Sequence, residues 1–141
     1  MIRKDHDFNI FLWNTAGPHV KGEWFKGGDI YACEGKTELK VNNWYHIATT
    51  WDGKTINVYL DGNLENIVSA GGAFARASWP LYIGLSPAYT EPMDGIIDEV
   101  AIYNRPLAAN ELQKDMEAVM ASVEPSGKLA TAWGCIKKGN E

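Results

Sequence analysis

The sequence predicts an all-β protein built from antiparallel sheets, with one short helix in its C-terminal half. Three observations point there. Apolar and polar residues alternate in short runs, nearly every run is bounded by Gly, Asp-Gly or Pro, and helical spacing begins only after Pro106.

Taken in order, "FNIFLWN" (8–14), "VKGEWF" (20–25) and "DIYACE" (29–34) read as strands divided by Ala16-Gly17-Pro18 and Gly27-Gly28, and "ELKV" (38–41) reads as a further short one. In "WYHIATTWDGKTINVYLDGNLENIV", strands over 44–51 and 55–60 flank Asp52-Gly53-Lys54. A second Asp-Gly, at 61 and 62, opens the next turn and completes a three-stranded meander. Residues 71–78 are a loop, 80–86 a strand and 87–94 a loop with two prolines. The run "DGIIDEVAIYNRPL" (94–107) then reads as a buried strand that stops at Asn-Arg-Pro. Leu107, Leu112, Met116, Val119 and Met120 recur at helical spacing, so a short amphipathic helix starts near Pro106 or Asn110 and ends before Pro125-Ser126-Gly127. "KLATAWGCIKK" (128–138) alternates again as a final strand, and 139–141 are a frayed end. Residues 1–138 thus read as one domain.

Bulk properties narrow the function. Eighteen acids against 13 Lys and Arg leave a net charge of −5 with no basic stripe, so nucleic acid is not an expected partner. No run approaches the roughly 20 apolar residues that span a bilayer, and "MIRKDHDF" lacks the apolar core of a signal peptide. Cys33 and Cys135 have no metal-like spacing and are either one long-range disulfide or two buried thiols. Six Trp and six Tyr are many for 141 residues and fill a core or form a binding platform. Trp44, Trp51, Tyr59 and Tyr103 are assigned to the core or its rim.

Within 94–107, Ile96, Asp98, Val100 and Ile102 share one strand face, which places the Asp98 carboxylate among buried residues. Such a group needs hydrogen bonds, an ion pair or a cation, and Ca2+ would suit it. Arg105 is a further partner for Asp98 or Glu99.

The runs "WYHIATTWDGKTINVYLDGNL", "PLYIGLS" and "DGIIDEVAIYNRPLAANEL", in this order, resemble the laminin-G-like jelly-roll family of the concanavalin A-like lectin and glucanase superfamily. "HIATTW" is also similar to the pentraxin signature, although Ala48 stands where a pentraxin has a cysteine. The resemblance implies a jelly-roll sandwich of two antiparallel sheets, a ligand surface on loops or on one sheet face, and an extracellular or cell-surface location. It matches Asp98 to an aspartate that either accepts backbone N–H bonds or ligates a structural Ca2+. Family members usually begin with two further strands, and this chain reads as starting after them. Residues 128–138 could fill the vacancy, or a homodimer could share strands.

Catalysis is not expected. Superfamily glucanases alternate carboxylates along one strand as Glu-x-Asp-x-Glu, a run absent here. His6, His19 and His46 sit in unrelated contexts, and no phosphate-binding glycine loop precedes a helix. What remains is a non-catalytic binding or adhesion module in a larger extracellular protein, its partner carbohydrate or a cell-surface protein. Candidate contact residues are His19 and Trp24 near the Gly-Pro turn, Arg76 and Trp79 in the loop before "PLYIGLS", and Tyr89 in the "PAYTEP" loop, with Asp98 as the metal candidate. The alternative is a structural assembly domain acting through an exposed sheet edge.

Overall fold

In the computed structural model, which describes residues 2–4, 6–14, 17–74, 77–85 and 92–122, the alternating runs become strands and the helical run becomes a helix. The strands are β1 (Ile2–Lys4), β2 (Phe8–Asn14), β3 (Pro18–Lys26), β4 (Asp29–Glu34), β5 (Ile47–Trp51), β6 (Thr55–Leu60), β7 (Asn63–Ser69) and β8 (Tyr82–Ile83), followed by α1 (Ala109–Ser122). They form two antiparallel sheets, ordered β4-β3-β2-β1-β8 and β5-β6-β7. The protein is a two-sheet β-sandwich with one short helix.

Turn chemistry fixes the smaller sheet. Asp61 and Gly62 both take left-handed backbone, at φ 47° and 74°, as a two-residue hairpin turn demands. Ahead of β6, the Asp52 carboxylate accepts the N–H groups of Lys54 (2.9 Å) and Thr55 (2.7 Å). Chiefly the Thr55 N–H, and then that of Lys54, lowers the Asp52 carboxyl below its usual range. The β6–β7 register shifts between Val58 and Tyr59, so one extra residue, Glu65, falls out of the ladder. Its carboxylate crosses to the loop after β4 and accepts the Lys36 and Thr37 N–H groups, each at 2.8 Å, and the Thr37 hydroxyl at 3.0 Å. Partial burial pushes the Glu65 carboxyl up, but these donors outweigh it and the net shift is downward.

Between the sheets lies the main core. Val20 and Cys33 from the larger sheet meet Ile56, Val58 and Leu60 from β6, with Leu39 and Ala70 closing the ends. Gly22 lets the layers approach, since a Cβ there would sit 2.8 Å from Thr49 Cγ2 and 2.9 Å from the Trp24 ring. Phe74 wedges among three aromatic rings, 4.4 Å from Trp51, 5.9 Å from Tyr31 and 6.5 Å from Trp24, centroid to centroid. Cys33 is a buried free thiol whose pKa burial pushes up, which makes it a packing residue; Cys135 lies outside the described residues.

On the far side of the smaller sheet, Leu107 and Leu112 pack on Tyr59 and Ala48. The helix start is half of a capping box: Glu111 reaches back to the Ala108 N–H at 2.8 Å, where Ala108 offers no side-chain oxygen in return. Arg105 Nη2 and Nη1 both donate to the same carboxylate, at 2.8 and 2.9 Å. That fork first, and the Ala108 N–H second, depress the Glu111 carboxyl from 4.5 to about 2. A depressed carboxylate stabilises the fold above its unfolded pKa and ceases to do so as pH falls through the folded one. The helical circular-dichroism signal should therefore weaken as pH drops from about 4.5 towards 2, and Glu111→Gln should flatten that part of the difference curve against wild type.

Several expectations change. β1 forms although no strand was expected at Ile2–Lys4, while 38–41 is not a strand and, of the described residues 80–85, only Tyr82–Ile83 form one, β8. The 94–104 run joins neither sheet, and Glu99 takes left-handed backbone (φ 49°) in its middle. Asp98 is consequently exposed and not buried as expected; among the described residues its Oδ1 accepts the neighbouring Glu99 N–H at 2.9 Å. Arg105 pairs with Glu111 and not with Asp98 or Glu99. Trp51 and Tyr59 are core residues as expected, but Trp44 is 66 % exposed and Tyr103 sits on the surface with its hydroxyl donating to Asp115. Residues 128–138 and 139–141 lie outside the described residues.

Candidate functional site

Antiparallel register decides which side chains share a face, because directly opposed residues point the same way. Ile10, Gly22 and Cys33 stand in one row across β2, β3 and β4, and this row faces the core. The alternate rows, Trp13 opposite His19, Phe11 opposite Lys21 and Glu34, and Asn9 opposite Glu23, must face away from it. The outer face of the larger sheet thus gathers two aromatics, two basic groups, two carboxylates and an amide.

Their geometry is specific. Phe11 and Trp13 meet edge to face, with centroids 6.0 Å apart and planes at 82°. Lys21 Nζ lies 4.3 Å from the Trp13 centroid and 5.7 Å from that of Phe11, a cation–π contact worth about 0.5–2 kcal/mol according to its exposure. The same ammonium is 3.3 Å from Glu23 Oε1, and Glu23 Oε2 accepts Asn9 Nδ2 at 3.4 Å. Asn9 is buried, and its Oδ1 has no hydrogen-bond partner among the described residues. A buried acceptor left open costs about 1–3 kcal/mol, so the site has capacity for a further donor. His19 Nδ1 lies 2.8 Å from the Gly17 carbonyl. A carbonyl only accepts, so Nδ1 carries the proton and the neutral ring keeps Nε2 as an acceptor. Glu34 stands 4.0 Å from the same ring nitrogen.

Trp13 is the open part, 40 % exposed. An indole edge-locked by Phe11 and faced on one side by Lys21 offers a flat apolar plane at low entropic cost, with donors and acceptors at its rim. Both carboxylates on this face have a basic neighbour. The arrangement suits recognition of a ligand with an apolar face and hydroxyl edges.

Of the residues expected from sequence, only His19 belongs to this cluster. Trp24 lies on the inner face of β3, packed against the core, because it shares parity with Val20 and Gly22. Trp79 is 54 % exposed and stacks 6.0 Å from His6, itself 5.9 Å from Phe25. Phe25 is six residues along β3 from His19, about 20 Å at strand rise, so Trp79 and His19 lie towards opposite ends of β3. Arg76 and Tyr89 lie outside the described residues. Among the described residues no three or more His, Cys, Asp or Glu side chains converge as a metal group, and Asp98 is exposed. Asn9, Phe11, Lys21 and Glu23 were missed, although period-2 alternation in "FNIFLWN" and "VKGEWF" already separates them from the core-facing set.

A family model described as the concanavalin A-like lectin/glucanases superfamily, Laminin_G_3, matches residues 2–113. The chain belongs to this superfamily. The match takes in all eight strands and the start of α1, so the outer face just described lies wholly within the superfamily domain. No curated protein matches the chain. Among solved structures, an S-layer domain-containing protein from Clostridium thermocellum ATCC 27405 (residues 221–444) is similar at 20 % identity and a TM-score of 0.49. The alignment covers 79 % of this chain and 64 % of that one, so the chain spans less than two thirds of that structure. Among the described residues no helix is long and apolar enough to cross a membrane.

Proposed function

We propose that this domain is a non-catalytic binding module, extracellular or at a cell surface, that takes carbohydrate on the outer face of its larger sheet. The observation that carries this reading is the half-open Trp13 indole, edge-locked by Phe11 and ringed by Lys21, Glu23, Asn9 and His19. Sugar rings present C–H faces that stack on an aromatic plane and hydroxyls that exchange hydrogen bonds with such a rim.

An immobilised-glycan panel tests it, run with wild type and Trp13→Ala, each with and without EGTA. Wild type should bind a subset of glycans, and Trp13→Ala should weaken that binding about tenfold, or about 1.4 kcal/mol, without lowering thermal stability to match. Loss of binding in EGTA would give calcium a part in the site. Equal binding by wild type and variant would remove Trp13 from the site. Release of reducing sugar from β-glucans would reverse the non-catalytic assignment.

A second reading, a structural assembly domain, draws on the edge of the larger sheet, where β8 has only two residues and Ile83 is half exposed. Its signature would be a concentration-dependent dimer with no glycan binding.

A further inference from the structure

Of the buried side-chain polar atoms without a partner among the described residues, Asn9 Oδ1 alone belongs to the larger sheet; those of Thr49 and Asn57 lie in the smaller one and that of His46 beside it. Buried acceptors are normally paired, so an open one under a binding face calls for a cause. Asn9 is 2 % exposed, and its Nδ2 donates to Glu23 Oε2. Turning the amide over would set its oxygen against the Glu23 carboxylate, acceptor against acceptor. Nδ2 therefore belongs on Glu23, and Oδ1 is the open atom.

Asn9 also stands apart from the aromatic end of the face. It is four residues along β2 from Trp13, about 13 Å at strand rise, with Phe11 and Lys21 in the row between. A single pyranose ring stacked on Trp13 does not reach that far. The row of Asn9 runs from Tyr82 through Arg3, Asn9 and Glu23 to Ala32. Glu23 is the member placed to yield: its contact with Nδ2, at 3.4 Å, is longer than an ordinary hydrogen bond, its other oxygen is 3.3 Å from Lys21 Nζ, and Ala32 opposite it carries nothing past Cβ. With the carboxylate turned towards Lys21, the amide presents an acceptor and a donor side by side. Two adjacent hydroxyls match that pair, one donating and the other accepting.

Granted that this face binds glycan, we infer that Asn9 and Glu23 form its second subsite, taking a vicinal hydroxyl pair from a different ring than the one stacked on Trp13. The ligand is then a stretch of a linear oligosaccharide and not a single terminal sugar.

Calorimetric titration with size-graded linear oligosaccharides tests this, in separate series of glucose, xylose, mannose and N-acetylglucosamine running from the single sugar to the pentasaccharide. In a series that binds, affinity should rise at least about tenfold between the single sugar and the chains long enough to span both subsites. In Asn9→Leu, which fills the buried position without a polar atom, that gain with length should vanish. A readout on wild type needs no substitution: the Asn9 side-chain NH2 resonances should move with the longer chains and stay in place with the single sugar. Affinity already complete with the single sugar would overturn the inference. So would a length gain kept in Asn9→Leu with the Asn9 NH2 signals unmoved, which would leave Oδ1 to an ordered water. Failure of every series, single sugars included, would instead overturn the glycan reading and this subsite with it.

Discussion

Phe74→Ala should lower the unfolding free energy by about 3 kcal/mol, in the range seen when a buried aromatic is truncated. Among the described residues, Phe74 is a loop side chain that meets aromatic rings of both sheets: Trp24 and Tyr31 from β3 and β4, and Trp51 from β5. The start of its loop is fastened to both sheets. The Ala70 N–H donates to the Lys54 carbonyl at 2.7 Å, Trp51 Nε1 donates to the Ala70 carbonyl at 3.0 Å, and Lys26 Nζ holds the Gly71 carbonyl at 2.9 Å. With the backbone so constrained, the cavity left by alanine closes poorly. Urea denaturation should show a lower midpoint with an unchanged slope. A loss below about 0.5 kcal/mol, the size of an ordinary surface substitution, would show that Phe74 does not bind the sheets together.

Gly22→Val should cost about 2–3 kcal/mol for the opposite reason, overpacking. The added Cβ meets a β-branched side chain, Thr49, and an indole, Trp24, neither able to swing clear without losing core contacts. Thr49 offers a control. Its hydroxyl is buried with no partner among the described residues, so Thr49→Ala removes the obstructing Cγ2 without breaking a hydrogen bond there. The double variant Gly22→Ala with Thr49→Ala should be more stable than the sum of its single changes implies, an interaction readable in a double-mutant cycle. Strict additivity would mean that the sheets do not approach at this glycine.

Local chemistry was legible wherever it suffices. β2, β4 and β6 match the alternating runs residue for residue, and the Asp61-Gly62 turn follows from the left-handed backbone that a tight hairpin needs. What alternation leaves open is the partner. It assigns the side chains of 94–104 to faces but supplies no neighbour to bond, so the run stays outside the sheets and Asp98 faces solvent. β1 is the reverse case: three residues with little intrinsic signal become a strand because β2 and β8 flank them. The candidate site divides the same way. Parity alone places Trp24 inward with Val20, whereas the meeting of Lys21 with Phe11 and Trp13 requires the β2–β3 register, which only the folded hairpin defines.

The most direct test of the binding face is a titration of isotopically labelled protein with the tightest glycan from the panel, following tryptophan indole and backbone amide resonances. The largest shifts should fall on the Trp13 indole and on the amides of Phe11, Lys21 and Glu23, leaving Trp44 and Trp79 unmoved. Shifts centred on Trp79 and His6, or on Trp44, with Trp13 unchanged would place the ligand elsewhere and contradict the account.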